Sequence, residues 1–205
     1  MIMKRIACFV HYDQDNQVDP YVIYYLEKLK PFVDQLIVIS HAKLDAEDQQ
    51  RLLAFSEHVI VRENRGFDWG GWQAGLDHYG WDNLADVDEL LLLNDACYAP
   101  VTGSFERIFN AMSTRACDFW GITDSRVHGY HLQPYFLAFR QSLLTSPLFK
   151  QFMQCKWETR STAQLAFRAE VTLTRYFEKR GFKSAVLLSV KNPNHQLPSD
   201  GNVTI

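Results

Sequence analysis

Residues Glu89-Leu90-Leu91-Leu92-Leu93 form the most apolar run of the chain and are followed at once by Asn94-Asp95. A carboxylate at the end of a buried strand can hold a hard cation such as Mg²⁺ or Mn²⁺ and leave coordination positions open for phosphate oxygens. The same pair can equally cap a turn towards Pro100, because Asn and Asp side chains hydrogen-bond their own backbone. Both readings stand at this level. Asp86-Val87-Asp88 also spells Asp-x-Asp, but it precedes its strand and is expected at the sheet edge away from ligands.

Two further polar clusters follow apolar runs. His11-Tyr12-Asp13 follows Arg5-Ile6-Ala7-Cys8-Phe9-Val10, and Glu63-Asn64-Arg65-Gly66-Phe67-Asp68 follows Val59-Ile60-Val61. The second cluster continues through Trp69-Gly70-Gly71-Trp72, with glycines that let backbone approach a ligand, Arg65 as a phosphate partner and Asp68 as the expected N-cap of a helix. Trp69 and Trp72 read as packing residues rather than a sugar platform, since large aromatics mostly serve burial. Asp13-Gln14-Asp15 follows a strand, as does the nucleophilic Asp of haloacid-dehalogenase-type phosphatases. The residues beyond it, Asn16-Gln17-Val18-Asp19, depart from that signature, which leaves phosphatase as a minor alternative.

The elements that must position these residues alternate. Strands are expected at Arg5–Val10, Leu36–Ile39, Val59–Val61 and Glu89–Leu93. Helices are expected from Pro20 to Leu29, from about Asp45 to Phe55, and from Trp69 or Gly70 to Tyr79. Strands separated by helices require a parallel sheet. The second half reads as a helix near Phe105–Met112, strands at Phe119–Thr123 and Tyr135–Arg140, helices near Leu148–Trp157 and Thr162–Lys179, Gly181, and a last strand at Ser184–Val190. The expected fold is α/β, one domain over residues 1–205 with a central mixed, mostly parallel sheet and helices on both faces. Residues 191–205 read as a surface tail.

With 205 residues the chain can bury one substantial core, into which five Trp, nine Tyr and fourteen Phe must largely fit. A formal charge of −3 and the lack of any Lys/Arg run argue against nucleic acid as a partner. Cys8, Cys97, Cys117 and Cys155 have no zinc spacing and read as reduced, buried small hydrophobes. The apolar run after Arg5 is broken by Tyr12-Asp13 before it could serve as a signal peptide, and no run reaches the roughly 18 residues of a membrane span. A cytoplasmic protein is expected, with any membrane association peripheral.

Five ordered segments resemble the rhamnan synthesis protein F family. They are His11-Tyr12-Asp13, Glu63-Asn64-Arg65-Gly66-x-Asp68, Leu92-Leu93-Asn94-Asp95, Phe119-Trp120-Gly121-Ile122-Thr123 and His131-Leu132-Gln133-x-Tyr135-Phe136, and the likeness runs from residue 5 to residue 190. The resemblance implies glycosyltransferases of bacterial cell-wall polysaccharide and lipopolysaccharide with a GT-A-like fold. Residues 1–100 would form a nucleotide-sugar-binding half and residues 101–190 an acceptor and catalytic half. It puts Asn94-Asp95 where such enzymes carry their metal motif, with Asp95 approaching Mg²⁺ or Mn²⁺ and the donor diphosphate. His11, Tyr12, Asp13, Asn64, Arg65, Gly66, Asp68 and Asn94 would complete the nucleotide-sugar site. This chain departs from Asp-x-Asp, since Ala96 and Cys97 follow Asp95.

The resemblance further implies that Glu170, on a helix ending before Gly181, is the general base of an inverting transfer; the alternative is a solvated Glu paired with Arg168 or Arg175. His131 and Gln133 would bind acceptor hydroxyls or else be buried polar groups satisfied by backbone. His195 stands where some GT-A enzymes bring a C-terminal His to the metal. The expected reaction moves a sugar, such as a deoxyhexose like rhamnose, from a nucleotide donor to a lipid-linked glycan at the inner face of the cell membrane. A non-catalytic nucleotide- or glycan-binding module of a polysaccharide-assembly complex is the alternative.

Overall fold

A computed structural model describes residues 3–101, 103–155 and 163–189. Strands β1 (Arg5–His11), β2 (Gln35–Ser40), β3 (His58–Val61) and β4 (Glu89–Asn94) lie parallel in the order β3-β2-β1-β4. The sheet continues through β7 (Phe136–Arg140), antiparallel to β4, and β5 (Phe119–Ser125), antiparallel to β7. The two-residue β6 (His131–Leu132) pairs with β5 antiparallel and β8 (Ser184–Leu188) pairs with it parallel. The mixed, mostly parallel sheet expected from the sequence is therefore present.

The apolar runs read as strands because they are covered on both faces. Along β1, Ala7 and Phe9 join one core with Leu36, Val38, Leu91 and Leu93, whereas Ile6, Cys8 and Val10 join the other with Ile37, Ile39, Leu90 and Leu92. The first core is covered by α1 (Pro20–Leu29), α2 (Ala46–Leu53) and α4 (Phe105–Ser113). The second is covered by α3 (Phe67–Tyr79), α5 (Gln141–Leu144), α6 (Pro147–Met153) and α7 (Ala163–Glu178).

Right-handed crossovers explain this division. The chain moves outward from β1 to β2 to β3 with α1 and α2 on one face, then returns past β1 to β4 with α3 on the other. The reversal opens a crevice at the carboxyl ends of β1 and β4, where ligands bind in such sheets. Helix α3 comes unusually close to the strands. A Cβ on Gly71 would lie 2.6 Å from Val10 Cγ2, and one on Gly75 would lie 2.9 Å from Cys8 Sγ and from Ile39 Cδ1.

At the opposite edge, Glu89 is buried and ties three strands. Its carboxylate accepts from Arg5 Nε and Trp120 Nε1, each at 2.8 Å, and lies 3.7 Å from Arg140 Nε. Arg140 also donates to the carbonyls of Met112, Arg115 and Cys117. Asp88 belongs to this edge as expected, since its Oδ2 accepts from Lys4 N at 2.7 Å.

Several local expectations are corrected. Helix α3 starts at Phe67, and its N-cap is Gly66 with φ +82°, so Asp68 sits inside the first turn rather than capping it. A left-handed N-cap needs glycine, and the bend it makes ends the β3 loop sooner than a side-chain cap would. Strand β6 and helix α5 are too short to show a period and were not expected. Cys8 and Cys117 are buried, but Cys97 is half-buried and Cys155 exposed; all four are free thiols. Trp157 lies outside the described residues, and α6 ends at Met153. The tail from residue 191 lies outside them too. Among the described residues no helix is long and apolar enough to cross a membrane.

Candidate functional site at the β1/β4 crevice

Asn94, the last residue of β4, is buried, and its side chain works in two directions. Nδ2 donates to Asp68 Oδ2 at 2.8 Å, and Oδ1 accepts from Ala96 N at 3.1 Å. The turn-cap reading of this residue therefore holds. It does so together with a link to the first turn of α3, which fixes the Asp68 carboxylate beside the strand end. Asp95 Oδ2 accepts from the backbone amide of Tyr12 at 2.9 Å, which closes the loops after β1 and β4 across the crevice.

Three carboxyl groups sense one another here. Burial pushes Asp95 up to about 6; the Tyr12 amide opposes this, and the charges of Asp68 and Asp13 add to it. Burial raises Asp68 against the Asn94 hydrogen bond. Burial also raises Glu170, with His131 opposing and the charge of Asp68 adding. Asp68 thus couples electrostatically to Asp95 on one side and to Glu170 on the other.

Glu170 projects from the middle of α7, and its Oε1 lies 3.8 Å from His131 Nε2. His131 is buried, and its Nδ1 is 2.9 Å from the Gly129 carbonyl. Because a carbonyl only accepts, Nδ1 carries a hydrogen and Nε2 is the ring nitrogen that faces Glu170. The pair is braced from β6 by Leu132 N donating to Thr174 Oγ1 at 3.0 Å. Gln133, half-buried, donates its backbone amide to Thr123 O at 2.9 Å. Pro134 follows it and cannot join the ladder, which interrupts the run between β6 and β7.

The remaining expected residues lie around this centre. Asp13 Oδ1 accepts from the amides of Asp15 and Gln17 and so shapes the β1 loop, a fixed acceptor role unlike that of a free nucleophile. His11 is buried behind it with Nδ1 at 3.0 Å from Ser40 Oγ, and burial lowers its pKa. Asn64 is exposed and its Oδ1 is held by His41 Nδ1 at 2.9 Å. Arg65 is exposed and pairs with Glu63 through contacts of 2.8 and 2.7 Å, a surface pair that a phosphate can displace at small cost. A Cβ on Gly70 would lie 2.0 Å from Arg65 O, so this loop can close only over glycine. Trp69 and Trp72 are buried, and Trp72 Nε1 donates to Leu93 O at 2.8 Å; they are packing residues. His195 lies outside the described residues.

Sequence reasoning passed over His41, Tyr21 and Tyr98. His41 is the first residue beyond β2 and lies at the carboxyl edge; burial, then the Arg62 charge, lowers it to about 4. It was missed because the apolar run ends at Ile39, two positions short. Tyr21 lies in the helix expected from Pro20 to Leu29, and the first turn of a helix after β1 necessarily stands at the ligand edge.

Among the described residues no group of three or more His, Cys, Asp or Glu is arranged to hold a metal ion. Asp95 and Asp68, whose charges interact, nonetheless supply two hard carboxylate donors at this edge. That set fits an open Mg²⁺- or Mn²⁺-type site completed by phosphate oxygens rather than a closed protein cage.

Comparison with known proteins agrees with this layout. Virulence protein VirA of Vibrio anguillarum is 24% identical over 190 residues, covering 90% of this chain and 59% of VirA. The chain thus spans little more than half the length of that relative. Among solved structures, a cytidylyltransferase from Leptospira borgpetersenii superposes with TM-score 0.51 at 14% identity, covering 99% of this chain and 81% of that one. Mannosyltransferase PcManGT from Pyrobaculum calidifontis, solved with GDP-Man and Mn²⁺, superposes with TM-score 0.55 at 8% identity, covering 90% of this chain and 55% of that one. These likenesses establish a GT-A-like fold. The sequence model of rhamnan synthesis protein F matches residues 36–204, starting after His11-Tyr12-Asp13 and running past residue 190, and the chain belongs to the rhamnan synthesis protein F family.

Proposed function

We propose that the protein is a glycosyltransferase that moves a sugar from a nucleotide diphosphate donor to a hydroxyl of a cell-surface polysaccharide or lipopolysaccharide precursor. One observation carries the reading. Asp95, latched by Tyr12 N across the β1/β4 crevice, interacts through charge with Asp68 on α3, which Asn94 holds at the end of β4 and whose charge also reaches Glu170 on α7. Family membership and the fold shared with a mannosyltransferase solved with GDP-Man and Mn²⁺ support it.

In this reading Asp95 and Asp68 would hold Mg²⁺ or Mn²⁺, which when bound neutralises charge on the departing diphosphate. The chain's residues 1–100 serve the donor, with the His11–Asp13 loop and the Asn64-Arg65-Gly66 loop flanking it. Residues 101–190 serve the acceptor. Glu170 takes the proton of the acceptor hydroxyl as the glycosidic bond to the donor breaks, with inversion at the sugar carbon. Its partial burial raises its basicity, and His131 keeps it oriented. Gln133 offers an amide to acceptor hydroxyls. A lipid-linked acceptor fits peripheral work at the cytoplasmic membrane face, with rhamnose or another deoxyhexose as the sugar.

A binding module without turnover is the second reading, favoured by Ala96 and Cys97 standing where a further carboxylate would complete Asp-x-Asp. Incubation with nucleotide sugars and Mn²⁺, with and without glycan acceptor, separates the two. Acceptor-dependent nucleotide release that disappears in Asp95→Ala supports the transferase. Binding with no release for any donor supports the module.

A further inference from the structure

Tyr21 and Tyr98 form an aromatic pair next to Asp95 to which the reaction above assigns no task. Tyr21 stands in the first turn of α1 and Tyr98 in the segment after Asp95. Their ring centroids are 4.9 Å apart with planes at 51°. Tyr98 is 69% exposed, so most of its ring meets solvent at the ligand edge, and Tyr12, whose amide holds Asp95, is 52% exposed. The segment is braced from α1, where Tyr24 OH donates to Pro100 O at 3.4 Å. Tyr21 is kept protonated, pushed up to about 12 by burial and by the charges of Asp95, Asp19 and Asp13.

The surroundings discriminate among ligands. An aromatic face accepts an apolar C–H surface through its electron-rich ring. The carboxylates whose charges reach its partner Tyr21 are Asp95, Asp19 and Asp13, which only accept hydrogen bonds and which, without a bound cation, repel phosphate. A nucleobase could lie on the ring, but its face carries no C–H groups and its few N–H donors lie in the ring plane. A pyranose has a C–H face and several hydroxyl donors, and so complements both components.

We propose that Tyr98, backed by Tyr21, is a pyranose platform, on which one sugar ring lies with hydroxyls turned to the surrounding carboxylates. The inference rests on the transferase reading only for the source of that ring, which is either the acceptor glycan or the sugar of the donor.

Saturation-transfer NMR on the intact chain with methyl glycosides of rhamnose, mannose, glucose and galactose tests it, alongside calorimetry with nucleoside diphosphates and nucleotide sugars in Mn²⁺. Tyr98 is exposed, so Tyr98→Ala and Tyr98→Phe are expected to fold, which circular dichroism checks. Glycoside signals that vanish in Tyr98→Ala and persist in Tyr98→Phe assign the acceptor ring. A loss of about tenfold in Tyr98→Ala affinity for a nucleotide sugar, with its free nucleoside diphosphate unaffected, assigns the donor ring. Either result supports the platform, even if no sugar nucleotide is turned over, in which case only the transferase reading falls. Glycoside signals and nucleotide-sugar affinities unchanged in Tyr98→Ala overturn it. So does an equal loss of affinity for free nucleoside diphosphate, which would make the ring a nucleobase shelf.

Discussion

The backbone amide of Tyr12 donates to Asp95 Oδ2 at 2.9 Å and so joins the ends of two neighbouring parallel strands from residues far apart in sequence. One carboxylate oxygen is thereby fixed at the strand end. The functional consequences of the crevice start from this bond.

Asp95 is held at about 6, above its ordinary value of 3.8, mainly by burial. A raised folded-state pKa contributes stability below the unfolded value that is lost as pH rises through the folded one. Asp95→Asn, which can still accept from Tyr12, should therefore be more stable than the parent at pH 7.5 by on the order of 1–2 kcal/mol, with no gain below about pH 4. Urea denaturation across this window measures it. Calorimetric Mn²⁺ binding in the presence of nucleoside diphosphate should be lost in the same variant; retention would remove Asp95 from the cation site.

Glu170→Gln should lower kcat by about 10²- to 10⁴-fold while leaving nucleoside diphosphate affinity within twofold, the signature of a base that acts only in the chemical step. Because His131 opposes the rise in the Glu170 pKa, His131→Asn should move the acid limb of the kcat profile to higher pH. An unmoved limb would make His131 a packing residue.

Glu89 lies at the far edge from the site and is 2% exposed. Glu89→Ala leaves Arg5 and Arg140 with no carboxylate between them and should cost about 3–5 kcal/mol of stability, read as a lowered urea midpoint. Below the unfolding transition, nucleotide affinity should be unchanged, since no partner of Glu89 reaches the crevice.

Gly71→Ala places a methyl 2.6 Å from Val10 Cγ2 and 3.0 Å from His41 Nε2. Overpacking of this kind costs about 1–3 kcal/mol and should lift α3 from β1. Asp68 then moves from Asn94, so nucleotide binding in Mn²⁺ should weaken along with stability. A variant that loses stability alone would show that α3 does not position the donor site.

Strands covered on both faces announce themselves as unbroken apolar runs, which is why β1, β2 and β4 and the carboxyl-edge location of Asn94-Asp95 were legible in the sequence. The layout of alternating strands and helices followed from the same runs. What escaped depended on contacts between distant residues. Asp68 looks like a helix cap by type and position, yet Gly66 turns the chain in the left-handed region and frees Asp68 to meet Asn94. The closeness of His131 to Glu170 needs β6, a pairing of two residues with no period to read. His41 escaped because β2 extends beyond its apolar stretch into Ser40, and only then does the chain turn towards Asn64.

Strand β4 takes its neighbours from residues 5–11 on one side and 136–140 on the other, so the crevice at its end cannot exist until both distant segments have closed around it. Such non-local closure is slow and makes the pocket part of the global folding transition rather than a locally stable subunit of it. Occupancy and folding are then one linked equilibrium. A ligand of this crevice at about 100 times its Kd should stabilise the entire described sheet by about 2.7 kcal/mol, so the protein's own melting curve can identify its substrate.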